Sequence, residues 1–403
     1  MTDRPAPPGG MLLVTVDRLP AWMLPAYGCT WLAMPALTDL AGRGLLLDRV
    51  IAGGDDPLET LAALAGGGHW PLLAAAVAAG WSPAVVTDDE HLAARLPTGI
   101  TVRHVPGTPG PDAAADEGET TLGRLFAVAA DLAAERPHRF LWCHAASLGM
   151  AWDAPPEFRD AYLDPDDPPP PPGATVPELV VDDTTDPDLV VALRHVFAGQ
   201  LTLLDDCLGR LVDTVASRSS ERPWTVLVAG VRGIGLGLHS RVGCGPLAPF
   251  GELAHLPAIL VDHGGRMAAQ RYGGIVVPAD LGATLLDLAG AAPATSDDPR
   301  TGRSLTGLFD SWRHAGRDRA ICVASHGTAI ATGAWHLVLP AAAGEDDRPA
   351  RLYAKPDDYF EACDVADRCP EVAAELTAIA RQALGDAAAA WACPLSEAAR
   401  QGV

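Results

Sequence analysis

Residues 11–19 read Met11-Leu-Leu-Val-Thr-Val16-Asp17-Arg18-Leu19. The run is short, lacks polar alternation and carries β-branched residues. It predicts a strand buried on both faces, as strands of parallel sheets are. Asp17 closes it. Working outward, the same grammar recurs. A helix over Met34 to Arg43 stops at Gly44, and a strand follows over Leu45 to Ile51. Pro57 opens a small-residue helix over Leu58 to Ala65, and Gly80 stops another over Leu72 to Ala79. Ser82 to Thr87 is a strand running into Asp88-Asp89, with a short helix over His91 to Leu96. Thr121 to Glu135 has amphipathic helical spacing, and Arg139 to Cys143 is a strand that ends at His144.

Strands alternating with helices predict an α/β fold, an α/β/α sandwich with a mainly parallel central sheet. In such sheets function gathers at the carboxyl ends of the strands. Asp17, Asp88, Asp89 and His144 stand at such ends. Asp153 to Pro187 reads as a loop, with a surface proline run from Pro168 to Pro172. Leu189 to Ser217 is a long helix whose Leu193, Val196, Phe197, Leu201, Leu204 and Leu208 face the core. Trp224 to Ala229 is a strand, followed by a loop with Gly230, Gly233, Gly235 and Gly237 whose spacing is wrong for a nucleotide loop. A strand over Pro257 to Val261 and a helix over Ala279 to Leu288 come next. From Arg319 the pattern becomes strand–turn–strand: Ala320 to Ala324, Gly327 to Thr332, Trp335 to Leu339, Arg351 to Ala354. This predicts a small C-terminal antiparallel β subdomain with a packed helix over Pro370 to Leu384. The expected boundary lies near Asp310, giving domains 1–310 and 311–403.

The 403 residues include 51 Asp+Glu and 29 Lys+Arg, a formal charge of −22. Such an acidic chain repels polyanions, which argues against nucleic acid and anionic membrane as partners. Hydrophobic residues at 48% supply a large core, and 20% charged residues are too few for a disordered chain. Lys355 is the one lysine and there is no asparagine. The eight cysteines form no C-x-x-C pair. Met11 to Val16 is too short for the core of a signal peptide, and Leu72 to Trp81 falls short of the ~18 apolar residues of a membrane span. A soluble, cytoplasmic protein with reduced thiols is expected.

The order of these pieces resembles the sulfatases and their relatives in the alkaline phosphatase superfamily. The resemblance is carried by Leu-Leu-Val-Thr-Val-Asp17-Arg-Leu with Met34-Pro-Ala-Leu-Thr-Asp-Leu-Ala-Gly-Arg-Gly44, by Phe197 to Leu211, by Asp280-Leu-Gly-Ala-Thr-Leu-Leu-Asp-Leu-Ala-Gly290, and by three C-terminal segments: Gly333 to Leu339, Arg351 to Asp358 and Asp364 to Val372. It spans about Met11 to Leu384. It implies hydrolysis of sulfate or phosphate esters at a divalent cation held by oxygen ligands, Ca²⁺ or Mg²⁺. It also implies a nucleophile at a helix start, with lysine and histidine around the ester oxygens.

Position by position, that machinery is degenerate. The first strand should end in one or two carboxylates and gives Asp17 followed by Arg18. The nucleophile falls on or near Asp56 in Gly54-Asp55-Asp56-Pro57-Leu58-Glu59-Thr60, where no Cys or Ser stands; Thr60 lies a helical turn too late. The second metal motif becomes Gly230-Val231-Arg232-Gly233, and the lysine expected afterwards falls near Cys244. His144 and His239 persist. Val261-Asp262-His263-Gly264-Gly265 looks like the missing motif but follows the wrong strand, so a structural turn is expected.

Each residue has two readings. Asp17 is a cation ligand remnant or a loop cap. Asp55 and Asp56 are helix-start charges, or ligands in a rearranged site. Asp88 and Asp89 start the next helix. Thr60, His144 and His239 are pocket remnants. Arg232 is a solvent-exposed loop residue, or a guanidinium paired with Asp17 or Asp56 where a cation would sit. The favoured expectation is an inactive, sulfatase-like pseudoenzyme without a cofactor, binding or scaffolding a small anionic ligand or a protein. The alternative is a Ca²⁺- or Mg²⁺-dependent ester hydrolase using Asp17, Asp55, Asp56 and His239.

Overall fold

The computed structural model describes residues 8–107, 110–135, 138–218, 223–294, 296–310, 316–341 and 349–401. The expected boundary at 310/311 falls where residues 311–315 lie outside the described residues.

The opening run forms β1 (Met11–Val16), buried at every position. The strands that follow are β2 (Leu45–Ile51), β3 (Pro83–Thr87), β4 (Thr101–His104), β5 (Phe140–Ala145), β6 (Glu178–Val180), β7 (Thr225–Gly230), β8 (Gly235–Leu236), β9 (Arg241–Gly243), β10 (His255–Val261) and β11 (Gln270–Val276). Eight of them make one sheet in the order β11-β2-β10-β7-β1-β5-β3-β4, and β6, β9 and β8 make a small one. β1 pairs parallel with β5 and β7, whereas β10 runs antiparallel to both β7 and β2.

The helices along this part are α1 (Pro35–Arg43), α2 (Pro57–Leu64), α3 (Pro71–Ala78), α4 (Glu90–Arg95), α5 (Thr121–Ala134), α6 (Pro156–Arg159), α7 (Pro187–Arg218), α8 (Gly251–Ala254), α9 (Pro278–Leu288) and α10 (Gly307–Asp310). The two-residue period of a strand sends β1 side chains to both faces of the sheet, and both faces are covered. Leu12, Val14 and Val16 join a core with Leu37, Leu125, Phe126 and Phe197 from α1, α5 and α7. Met11 and Leu13 join another with Leu61, Leu72 and Leu285 from α2, α3 and α9.

The C-terminal sheet orders β12 (Arg319–Ala324), β13 (Gly327–Thr332), β14 (Trp335–Pro340) and β15 (Arg351–Ala354), all antiparallel. Ile321, Ile330, Leu337 and Leu352 pack against Val372, Leu376 and Ile379 of α11 (Pro370–Gly385). Two short helices, α12 (Ala387–Ala392) and α13 (Glu397–Gln401), close the chain. The buried pair Arg317–Asp280, 2.6 Å, ties the segment before β12 to α9.

Some elements differ from expectation. The stretch from Asp153 to Pro187 is not all loop: it holds α6 and β6. β4 and β11 escaped the pattern. β4 is an edge strand with an exposed end, and β11 carries a Gly273-Gly274 pair where its register with β2 shifts between Tyr272 and Ile275. β5 runs one residue past His144.

Candidate functional site

β1, β7, β5 and β3 run in one sense and deliver their carboxyl ends to one edge of the sheet. Two loops are pinned together there. The Asp17 N–H donates to the Ala145 carbonyl at 2.8 Å, and the Leu19 N–H to the Arg232 carbonyl at 3.0 Å. Gly233 lets the second loop pass close to its neighbour: a Cβ there would lie 1.9 Å from the Glu252 carbonyl oxygen.

Arg232 points its guanidinium at Asp17. Its Nε donates to Oδ1 at 2.8 Å and to Oδ2 at 3.2 Å, and Nη2 donates to Oδ2 at 3.0 Å. Nη1 donates to the Asp55 backbone carbonyl at 3.0 Å. This is the forked, charge-assisted geometry that binds arginine to carboxylate strongly. Burial alone would push the guanidinium down, but the charge and hydrogen bonds of Asp17 outweigh it and hold Arg232 above its usual value. Arg18, in the left-handed region at φ 62°, brings a second guanidinium to 3.8 Å from the same carboxylate. The reading of Arg232 as a solvent-exposed loop residue does not hold: its side chain is 21% exposed, and each of its three nitrogens donates a hydrogen bond.

The other expected residues divide. The Asp55 carboxylate turns to the C-terminal sheet, where its Oδ2 accepts from the Ser325 N–H at 3.0 Å. Asp56 is the exposed N-cap of α2, accepting from the Leu58 N–H at 2.8 Å. Thr60 is buried inside α2, with its hydroxyl donating to the Asp56 carbonyl. Asp89 caps α4 through the N–H groups of His91 and Leu92. Asp88 does not share that job. It is buried, accepts from the Ala146 N–H at 2.7 Å, and leaves Oδ2 without a partner.

His144 is wholly buried beside it. Trp142 Nε1–H donates to Thr15 Oγ1 at 2.9 Å, so the Thr15 hydroxyl is free to donate to His144 Nδ1, also at 2.9 Å. The His144 Nε2 has no hydrogen-bond partner and stands 3.9 Å from Asp89 Oδ2. Burial pushes His144 down and Asp88 up, so both resist ionisation. Cys244 faces the same pocket, its Sγ 3.9 Å from the Gly149 carbonyl, and burial raises its thiol. A raised thiol is a poor nucleophile at neutral pH.

His239 is not in this pocket. Its ring stacks on Phe250 at 3.9 Å, Nδ1 lies 3.2 Å from Glu252 Oε2, and Nε2 is 3.7 Å from Glu361. It lines a separate cavity towards the C-terminal sheet. Asp262 also lies elsewhere. β10 is antiparallel, so its carboxyl end is at the opposite edge of the sheet, where His263 meets Thr225 at the start of β7. Asp262 accepts from the N–H groups of Gly264 and Arg266 and pairs with the Arg266 side chain, closing a turn.

A hard divalent cation requires several oxygen ligands carrying negative charge. At the sheet edge Asp17 is already paired, Val231 offers no donor and two guanidinia repel a cation. Among the described residues no group of three or more His, Cys, Asp or Glu could hold a metal ion. The residues do not fit the group.

No protein-family model matches this chain, and no curated protein matches it. Solved structures do. A phosphonate monoester hydrolase of Agrobacterium radiobacter superposes with a TM-score of 0.72 at 17% identity, over 96% of each chain. The phosphonate monoester hydrolase from Silicibacter pomeroyi gives 0.71 at 16%, over 94% of each. A 2-O GAG sulfatase gives 0.69 at 15%, over 94% of this chain and 92% of the other. The chain has the sulfatase/alkaline phosphatase fold. Within that fold, sequence reading missed Glu252 and Glu361 and gave Asp88, which it placed at a strand end, the wrong role. Asp88 was hidden by a neighbour with an ordinary capping role. The two glutamates meet His239 only through tertiary contacts.

Proposed function

We propose that this sulfatase-like chain is a pseudoenzyme: a protein that binds and does not hydrolyse esters. What supports this most is the Arg232 fork on Asp17. It neutralises the surviving carboxylate, and with Arg18 it gives the strand-end pocket a positive sign where the fold's chemistry calls for a cation. The nucleophile position agrees, since Asp55 and Asp56 are occupied with a sheet backbone and a helix cap. Among the described residues no helix is long and apolar enough to cross a membrane, and all eight cysteines are free; a reducing, cytoplasmic setting suits both.

The test combines metal analysis of the purified protein with assays on aryl sulfate, aryl phosphate and aryl phosphonate monoesters in Ca²⁺ or Mg²⁺. Substoichiometric metal and no metal-dependent turnover are expected. Stoichiometric cation with turnover that Asp17→Ala abolishes would overturn the reading.

A further inference from the structure

The cavity of about 490 Å³ that contains His239 lies between the large sheet and the C-terminal sheet, and Asp17 and Arg232 do not line it. Its size is that of a small-molecule site. Its charged groups are in two different conditions.

The carboxylates are all engaged. Asp48 pairs with Arg271 at 2.6 Å. Glu252 accepts from the Leu236 N–H and faces His239. Glu361 bonds His336 Nδ1, Lys355 Nζ at 3.1 Å and the Gly251 N–H at 2.8 Å. Lys355 also donates to the carbonyls of Asp358 and Tyr359, so its three N–H groups are used.

The donors are not. Arg49 has backbone carbonyls as its hydrogen-bond partners, those of Gly333 and Thr332, and no carboxylate partner; the other N–H groups of its five are unengaged. The Tyr359 hydroxyl is buried and without a hydrogen-bond partner. His336 and His239 turn Nδ1 to Glu361 and Glu252, and Nε2 of His239 stands 3.7 Å from Glu361. The His336 side chain is 4% exposed. Apolar walls complete the space: Trp22 stands edge-on to Phe360 at 6.1 Å, and Phe360 is 50% exposed at the rim.

We propose that this cavity binds a small organic monoanion, a carboxylate on a ring-sized apolar body, with Arg49 and the Tyr359 hydroxyl taking the carboxylate and Trp22 and Phe360 the body. A planar guanidinium with unused N–H groups matches a carboxylate fork. A carboxylate also supplies the acceptor that the Tyr359 hydroxyl lacks. A single charge is indicated because three carboxylates share the walls and would repel a second. The inference deepens the reading of the chain as a binding protein, but it concerns a different pocket.

Isothermal titration calorimetry with phenylacetate tests it, against phenylacetamide, phenethylamine and phenyl phosphate as neutral, cationic and dianionic counterparts. Phenylacetate should bind and the others more weakly. Arg49→Gln should weaken binding by about 10- to 100-fold, the value of a lost charge-assisted hydrogen bond, and Arg49→Lys should recover part of it. Phe360→Ala, at an exposed position that can be changed without unfolding, should weaken it by about 3- to 10-fold. Circular dichroism establishes that each variant is folded. Should Arg49→Gln not fold, the ligand series and Phe360→Ala decide. Equal binding of acid and amide, unchanged binding by a folded Arg49→Gln, or no binding of phenylacetate, benzoate or indole-3-acetate up to about 10 mM would overturn the proposal. Those results leave the Asp17–Arg232 reading untouched, and metal-dependent turnover through Asp17 would leave this cavity's assignment standing.

Discussion

Two arginines, Arg232 and Arg49, do opposite things. Arg232 meets a carboxylate. The two charges cancel, and each of the guanidinium's three nitrogens donates, two to the carboxylate and one to the Asp55 carbonyl. Arg49 meets two carbonyls, which satisfy N–H groups without cancelling charge. Its neighbours Glu361 and Lys355 are engaged with each other, and a cavity stays open beside them. The acceptor beside a guanidinium, not its presence, decides whether a site is filled from within or left for a ligand.

The comparison breaks most visibly if the first pair is cut. Arg232→Ala leaves Asp17 buried beside Arg18 alone, and chemical denaturation should show a loss of about 3 kcal/mol, as for buried pairs stripped of one partner. A loss within about 0.5 kcal/mol would mean that the pair does not hold the pocket. In the second region Glu361→Gln should cost about 2 kcal/mol, because it leaves Lys355 and His336 without their anion.

Acid sharpens the same contrast. Burial would raise Glu361, but His336, Lys355 and the Gly251 N–H outweigh it and hold it well below the usual carboxylate range. Its folded value is depressed, so its contribution is present above 4.5 and lost as pH falls below that. Glu361→Gln should therefore flatten the acid limb of a stability–pH curve below 4.5. His255 is pushed down to about 4, first by burial and then by Lys355 and Arg49, against a bond to the Asp48 carbonyl. It too is depressed, so its share is full above 6.5 and declines as pH drops towards 4. His255→Gln should remove that part of the slope, measured by thermal unfolding across the window. The smallest effect is expected outside both pockets. Asp56→Ala should lose about 1 kcal/mol as a helix cap and leave phenylacetate binding unchanged, read by denaturation and calorimetry.

Much of the fold was legible because its signals are local. β1 is buried at every residue and apolar at all but Thr15, since both faces are covered. α2 and α11 start at Pro57 and Pro370, where proline's missing N–H costs nothing. β11 was illegible because Gly273 and Gly274 interrupt its pattern at a register shift. In the site, the sequence put Val231 and Arg232 at the end of a strand, and pairing of Arg232 with Asp17 was one of the two readings it allowed. His239 misled, because neighbourhood in sequence placed it with Arg232 whereas the loop between them turns it towards Glu252 and Glu361. Asp88 misled in the other direction, hidden beside an ordinary cap.

By itself, the sequence determined most of the strands and helices, the apolar character that buries them, and which residue types stand at the strand ends. Those follow from side-chain chemistry repeated at the period of a strand or helix. Only the tertiary structure decided which charges meet. Asp17 and Arg232 are far apart along the chain, as are Glu361 and His239, and Coulomb attraction and hydrogen bonding act over a few ångströms of space whatever the distance in sequence. β10 makes the point most simply: because it runs backwards, an Asp-His-Gly triplet that looks like a metal motif ends up at the wrong edge of the sheet.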